Sequence, residues 1–365
     1  MTPYFEFRDF PEGITTAVEA ALLRAARSNR FILGEEVGAF EEEFAAATEA
    51  TYSIAVGNGL DALTIALKAV GVGAGDEVIL PANTFIATAN AVVQAGGTPI
   101  LVEPDSFTYN LTAAAEKAVT ARTKAILPVH LYGQACEMGP LVELATKYKL
   151  AIVEDFAQAQ GASWAGQPVG SFGKANATSF YPTKNLGALG DAGAITTSDE
   201  TVAAFARKYR NYGESEKYHN ELIGVNSRLD TLQAAVLRVK LQHLDNLNAE
   251  RQRLAQVYLQ ELQSIDDLVL PKTAPNCSHV YHIFNIRTPQ RDQLKVWLQE
   301  RGIHTAIHYP VPIHLQPAYT FLKYKPGDFP VAEELAATSL SLPLFPGMRY
   351  EEQEHVIQSI KSFFK

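Results

Sequence analysis

The residues of this chain best placed to do chemistry are an aspartate, a lysine and a serine that close two apolar runs. Asp155 directly follows the run 150–154, and the run 177–181 carries Ser179 and is followed by Lys184. Gly187, Gly190 and Gly193 come next. An isolated aspartate in such a place is commonly a helix cap or turn residue. An isolated lysine is commonly a solvated charge. At two strand ends that open into one crevice, they form a carboxylate and amine pair. A desolvated amine is a nucleophile and a proton carrier.

A third group stands upstream. Val56-Gly57-Asn58-Gly59-Leu60-Asp61 is a tight turn running into a helix. The free N–H groups and dipole of a helix start bind phosphate, and glycines at 57 and 59 let the backbone come close. Alone, Gly-Asn-Gly is also a plain turn. Amine, carboxylate and phosphate donors together meet the needs of pyridoxal 5'-phosphate. It takes an amine on its aldehyde, a carboxylate opposite its ring nitrogen and donors around its phosphate.

These groups need strand ends to stand on. Strands are expected at 52–56, 77–80, 99–102, 124–129, 150–154, 177–181 and 194–196, with helices at 60–70, 86–94 and 139–148. This alternation predicts an α/β fold, a mostly parallel mixed sheet sandwiched by helices. Its ligand lies beyond the carboxyl ends of the strands. In 229–262, Leu229, Leu232, Val236 and Val239 follow a three-four spacing beside Leu237, Leu241 and Leu244. That reads as one long amphipathic helix or two in tandem. A strand at 280–287 and helices at 293–301 and 351–363 suggest a smaller C-terminal α+β domain. The division expected is 1–245, N-terminal segment included, and 246–365.

The chain has 365 residues, 47% apolar and 19% charged, the balance of a soluble globular protein. A net charge of −9 argues against nucleic acid as a general partner. Cys136 and Cys277 form no CxxC pair. His304, His308 and His314 have no cysteine or carboxylate at ligand spacing, so no metal is expected. No G-x-S-x-G elbow, P-loop or G-x-G-x-x-G occurs. The start shows no signal peptide and no apolar stretch spans a membrane, so a cytoplasmic protein is expected.

Several segments occur in a telling order: Arg30-Phe-Ile-Leu-Gly-Glu-Glu-Val, Pro81-Ala-Asn-Thr-Phe85, Pro128-Val-His-Leu-Tyr-Gly133, Val153-Glu-Asp-Phe-Ala-Gln158, Ser179-Phe-Tyr-Pro-Thr-Lys184-Asn-Leu-Gly and Gly224-Val-Asn-Ser-Arg228. Together they resemble the motifs of the DegT-like sugar-nucleotide aminotransferases, which are fold type I pyridoxal-phosphate enzymes. The resemblance covers nearly the whole chain. It implies that Lys184 holds the cofactor as a Schiff base and moves the proton, that Asp155 pairs with the ring nitrogen and that Phe85 stacks on the ring. Gln158 would lie near the ring's 3-oxygen, and Asn58, Gly59 and Ser179 would hold the phosphate. Asn226 would reach the phosphate of a neighbouring subunit's cofactor, making a homodimer with shared sites.

Within that resemblance, the Asn58-Gly-Leu-Asp-Ala turn, Lys217-Tyr-His-Asn-Glu221 and Ile307-His308-Tyr309-Pro310 are similar to members that aminate C3 of nucleotide-linked 3-keto-6-deoxyhexoses. Lys217, His308 and Tyr309 would line the sugar and diphosphate side, with Tyr181 near the hexose. His219 stands where many relatives have tyrosine. The implied reaction moves an amine from glutamate to C3 of a dTDP-keto-deoxyhexose, for surface-polysaccharide or secondary-metabolite glycans. The alternatives are amination at C4 and a catalytically inactive, cofactor-binding or regulatory protein.

Overall fold

The structure, a computed structural model, describes residues 1–8 and 13–365. The strands β1 (Tyr52–Val56), β2 (Glu77–Pro81), β3 (Thr98–Val102), β4 (Thr123–Ile126) and β5 (Ala151–Asp155) lead its first half. A short hairpin, β6 (Ser163–Trp164) and β7 (Gln167–Pro168), precedes β8 (Ala175–Ser179) and β9 (Gly193–Thr197). Seven of these strands form one sheet in the order β1-β9-β8-β5-β4-β2-β3. Only β9 runs against its neighbours. The pairs β2–β3, β2–β4, β4–β5 and β5–β8 are parallel.

Alternating side chains build the two faces. Ile54, Val56, Val78, Leu80, Ala125, Val153 and Ile195 enter one core. Ala55 and Ala194 enter a second, with Phe40, Phe44 and Phe156, while Ile79, Ile126 and Ile152 enter a third. Both faces are buried, as a parallel sheet requires. The helices that cover them are α1 (Ile14–Arg27), α2 (Glu35–Ala47), α3 (Gly59–Ala69), α4 (Ile86–Ala95), α5 (Met138–Tyr148), α6 (Glu200–Tyr209) and α7 (Thr231–Leu241).

The long apolar pattern is two helices in tandem, α7 and α8 (Leu244–Leu262). Two strands are displaced from their expected frames. The strand expected at 124–129 stops at Ile126, shortly before Pro128, which has no N–H for the ladder. The strand expected at 177–181 is β8, two residues earlier, so Ser179 is its last residue. The helices α1, α2 and α6 fall outside the sequence-derived pattern. So do the hairpin β10 (Glu214–Glu216) and β11 (His219–Asn220).

The C-terminal unit has its own core, with Leu254, Tyr258, Phe284, Leu298, Leu340 and Ile357. Its antiparallel pair is β12 (Phe284–Arg287) and β13 (Ser339–Leu342), flanked by α9 (Arg291–Glu300), α10 (Pro330–Thr338) and α11 (Tyr350–Phe363). The two units exchange segments. Thr2 pairs with Ile303, and Arg8 grips Glu352 through two bonds of 2.6 Å, so the first residues join the small unit. Ile313, Tyr319 and Phe329 instead join the core of the sheet. Leu244 belongs to the large unit's core and Leu254 to the small one's. A division at residue 245 does not capture these exchanges, because burial follows apolar contact and not chain order.

Candidate active site

The carboxyl ends of β1, β2, β5 and β8 open into a crevice of about 510 Å³. Asn58, Gly59, Phe85, Asp155, Gln158, Ser179, Tyr181, Lys184, His308 and Tyr309 all line it. A volume of this size suits a cofactor with a small substrate.

Asp155 ends β5 on the same face as Val153, towards α3 and α4. Thr88 of α4 donates to its Oδ2 at 2.9 Å, and the backbone N–H of Ala157 donates to its Oδ1 at 3.2 Å. Thr84 lies 3.0 Å from Thr88, hydroxyl to hydroxyl. Burial pushes the Asp155 carboxyl above the usual carboxylate range, while these two bonds and the nearby Lys184 pull the other way. The carboxylate is therefore held in a fixed orientation in a dry place, which favours pairing with a protonated ring nitrogen. Its neighbour Glu154 points to the opposite face. It accepts from the N–H groups of Gly170, Phe172 and Gly173 and lies 2.9 Å from His130. Glu154 therefore organises the fold and does not enter the crevice.

Lys184 follows β8 on a tight loop. Its backbone N–H donates to Tyr181 at 2.8 Å. Burial lowers its amine to about 8, and Asp155 opposes that shift. The amine is thus partly neutral near physiological pH, as a nucleophile must be. The loop needs its glycines for space: a Cβ at Gly187 would lie 2.2 Å from the carbonyl oxygen of Pro182. Asn185 anchors the loop, donating to Asn248 at 2.7 Å and to the Val280 carbonyl at 3.0 Å.

The phosphate turn is close-packed. Asn58 caps α3, its side chain accepting from the Asp61 N–H at 2.8 Å. The Asn58 oxygen and one of its N–H groups serve the helix, so its second N–H, the backbone N–H groups at the start of α3 and Ser179 are the donors left for a phosphate. A Cβ on Gly59 would meet the Ser179 Cβ at 2.5 Å, and one on Gly193 would meet the Asn58 backbone at 2.5 Å. Glycines at 59 and 193 therefore bring the helix start against the end of β8. The cradle fits a phosphate.

The small unit closes the other side. Gln158 donates to the Tyr309 hydroxyl at 3.0 Å and accepts from the Tyr132 N–H at 2.6 Å. The Phe85 and Tyr309 rings lie 5.2 Å apart. His308 pairs with Ser341 at 2.8 Å, and its backbone carbonyl accepts from the Tyr132 hydroxyl. Burial and Lys184 lower His308 to about 4, so its imidazole is neutral.

Three expected residues stand outside the crevice. Lys217 and His219 lie in the exposed β10–β11 hairpin, and Asn226 is exposed beside it. The neighbour of Asn226, Ser227, accepts from the Gly57 N–H at 3.0 Å. Sequence reasoning missed Thr88, Asn185 and His282, of which His282 also lines the crevice. Thr88 lies one helical turn from Phe85 and Asn185 directly follows Lys184, spacings that could have flagged both. His282 had no such signal. Among the described residues, no group of three potential ligands could hold a metal. No helix of those residues is long and apolar enough to cross a membrane.

A buried carboxylate and a desolvated lysine at the ends of a mixed sheet, beside a phosphate cradle, define a pyridoxal-phosphate enzyme of the aminotransferase fold. The chain belongs to the DegT/DnrJ/EryC1/StrS aminotransferase family over residues 13–361, and its cofactor is pyridoxal phosphate. It is 44% identical to the dTDP-3-amino-3,6-dideoxy-alpha-D-galactopyranose transaminase of Aneurinibacillus thermoaerophilus, covering 100% of this chain and 99% of that one. It is also 44% identical to the UDP-N-acetyl-3-dehydro-alpha-D-glucosamine 3-aminotransferase of Acidithiobacillus ferrooxidans, covering 91% and 89%. The crystal structure of S. venezuelae DesV, in complex with a ketimine intermediate, superposes with a TM-score of 0.95 at 46% identity, covering 97% and 96%.

Proposed function

We propose that this protein transfers an amino group from glutamate to C3 of a dTDP-linked 3-keto-6-deoxyhexose, acting as a cytoplasmic homodimer. The chain is a sugar-nucleotide aminotransferase. The observation that carries amine transfer is the sharing of one crevice by Lys184 and Asp155. When bound, the cofactor supplies the electron sink that lets a C–H bond beside nitrogen ionise. Lys184 takes and returns that proton at Nζ. Asp155, held by Thr88, keeps the ring nitrogen protonated. Gly59 and Ser179 hold the phosphate, Phe85 covers the ring, and Gln158 orients the ring's oxygen edge. Tyr181, His308 and Tyr309 line the side left for the sugar.

Carbon 3 is favoured because two relatives of equal identity, named for different nucleotides, are both named for that carbon. The dTDP assignment rests on the first of them. A second copy would complete the site with Asn226, Lys217 and His219. Support for it comes from exposed apolar side chains around Asn226, namely Phe31, Ile32, Leu33, Tyr212 and Val225. Backbone bridges from Ile32 to Asp230 and from Asn211 to Asn226 place them together.

Separate incubations with pyridoxal phosphate, glutamate and either a 3-keto or 4-keto dTDP-sugar, or a UDP-linked 3-keto sugar, test this reading by product mass. An amino sugar from the dTDP-linked 3-keto substrate in clear preference is the expected result. Preference for the 4-keto or the UDP-linked sugar overturns it.

A further inference from the structure

Tyr132 stands between β4 and α5, outside the groups assigned to the reaction. Its backbone is left-handed, with φ at 59°, a region that a bulky side chain rarely adopts. Such an outlier persists only where its surroundings fix it. Here every polar group of the residue is engaged. Its N–H donates to Gln158 Oε1 at 2.6 Å. Its carbonyl accepts from the Ile283 N–H at 3.2 Å. Its hydroxyl donates to the His308 carbonyl. Its ring is buried and meets Tyr109 edge-on, the centroids 5.2 Å apart.

These bonds have fixed directions. A backbone N–H can only donate, so the Gln158 side-chain oxygen faces Tyr132 and its amide nitrogen is left for other partners. That nitrogen donates to the Tyr309 hydroxyl at 3.0 Å, so Tyr309 is the acceptor in the pair. A carbonyl can only accept, so the Tyr132 phenol is the donor to His308. Burial, with Tyr309, Tyr109 and Tyr4 nearby, holds that phenol well above the usual tyrosine range, so it keeps its proton. The peptide it grips joins His308 to Tyr309, and both residues line the crevice. The neighbouring link is equally close, since a Cβ at Gly133 would lie 2.8 Å from the His282 nitrogen. Tyr132 therefore ties three parts of the site together: Gln158, the link into β12 and the 308–309 peptide.

We propose that Tyr132 is a positioning residue for the keto sugar: its hydroxyl sets the 308–309 peptide and its N–H sets the Gln158 amide, so that the Gln158–Tyr309 pair meets the sugar in one fixed arrangement. This inference rests on the reading that the Tyr309 side of the crevice takes the sugar. It is tested with whichever nucleotide-linked keto sugar the unaltered enzyme aminates, so an error in the nucleotide or the carbon leaves it standing.

Tyr132→Phe removes the bond to His308 and keeps both backbone bonds. In the enzyme loaded with pyridoxamine phosphate, half-saturation by the keto sugar is expected to rise at least fivefold. The half-reaction of the pyridoxal-phosphate form with glutamate should stay within twofold of the unaltered rate. In the holoenzyme without substrate, backbone hydrogen exchange over residues 307–311 should quicken at least tenfold, and over residues 151–155 stay within twofold. An unchanged half-saturation by the sugar overturns the inference. So does equal slowing of both half-reactions with faster exchange throughout, which is the mark of a merely structural role. Because Tyr132 acts through Tyr309, the variant carrying both Tyr132→Phe and Tyr309→Phe should match Tyr309→Phe within twofold in half-saturation by the sugar. Losses that multiply overturn the inference. If Tyr132→Phe does not fold, Tyr309→Phe decides: a fivefold rise in half-saturation by the sugar supports the arrangement, and an unchanged value overturns it.

Discussion

A Cβ on Gly59 would stand 2.5 Å from the Cβ of Ser179. The first residue of α3 and the last residue of β8 therefore touch through a gap that only glycine leaves. That contact joins two distant chain segments into the candidate phosphate cradle.

The first expectation concerns this gap. Gly59→Ala should force the turn away from β8, at a cost of about 1–3 kcal/mol for overpacking. Retention of pyridoxal phosphate on dialysis should fall at least tenfold, while Gly190→Ala, whose Cβ would meet only a glutamine side chain at 3.1 Å, should be much milder. Equal retention by both variants would count against the cradle.

Asp155 and Thr88 should act on one property. Asp155→Asn removes the charge proposed to face the ring nitrogen and should lower kcat on the order of 100-fold with the cofactor still bound. Thr88→Val removes one of the two bonds that favour the charged carboxylate, so the Asp155 carboxyl should rise further. The pH profile of kcat would then lose its acid limb at a higher pH than in the unaltered enzyme. An unchanged acid limb in Thr88→Val would dismiss the threonine's role.

Lys184 gives a pH dependence with a definite sign. Its folded-state value of about 8 lies below the unfolded value of about 10.4. Between these limits the unfolded chain binds more protons, so this group makes the cofactor-free protein more stable as pH rises through the window. Capture of pyridoxal phosphate by that protein needs the neutral amine. Its rate should level off above the midpoint and fall about tenfold per pH unit below it. Lys184→Ala should leave no borohydride-stable adduct.

Glu154 should prove structural. Glu154→Ala strands the N–H groups of Gly170, Phe172 and Gly173, and leaves His130 without its partner at 2.9 Å. Loss of a buried, multiply bonded carboxylate costs about 3–5 kcal/mol. A thermal melt of the purified variant would show it as a lowered midpoint or as failure to fold.

The proposed sharing of sites between two copies predicts complementation. Mixed dimers of Lys184→Ala with Asn226→Ala chains should recover part of the activity that each variant lacks alone, because one of the two sites regains both residues. Activity that stays at the sum of the parents would place Asn226 outside the site.

Much of this enzyme was legible in its sequence, for local reasons. Segments 52–56 and 150–154 are short, mostly apolar runs followed directly by groups with recognisable chemistry. The turn at 57–59 needs glycine, and Lys184, which alone would read as a surface charge, takes its meaning from Asp155 and that turn. These features depend on residue type and spacing, which a linear chain displays. Apolar periodicity runs through the junction of α7 and α8, so the sequence alone does not show the break between them.

Only the tertiary structure decided the rest. It turned Asp155 towards Thr88 and Glu154 towards His130, because strand register sends adjacent side chains to opposite faces. It brought His282 and Tyr309 to the site's other wall through contacts between distant segments. It left Lys217, His219 and Asn226 outside the crevice of their own chain. Local pattern names the groups that can react. Long-range packing alone decides which of them meet.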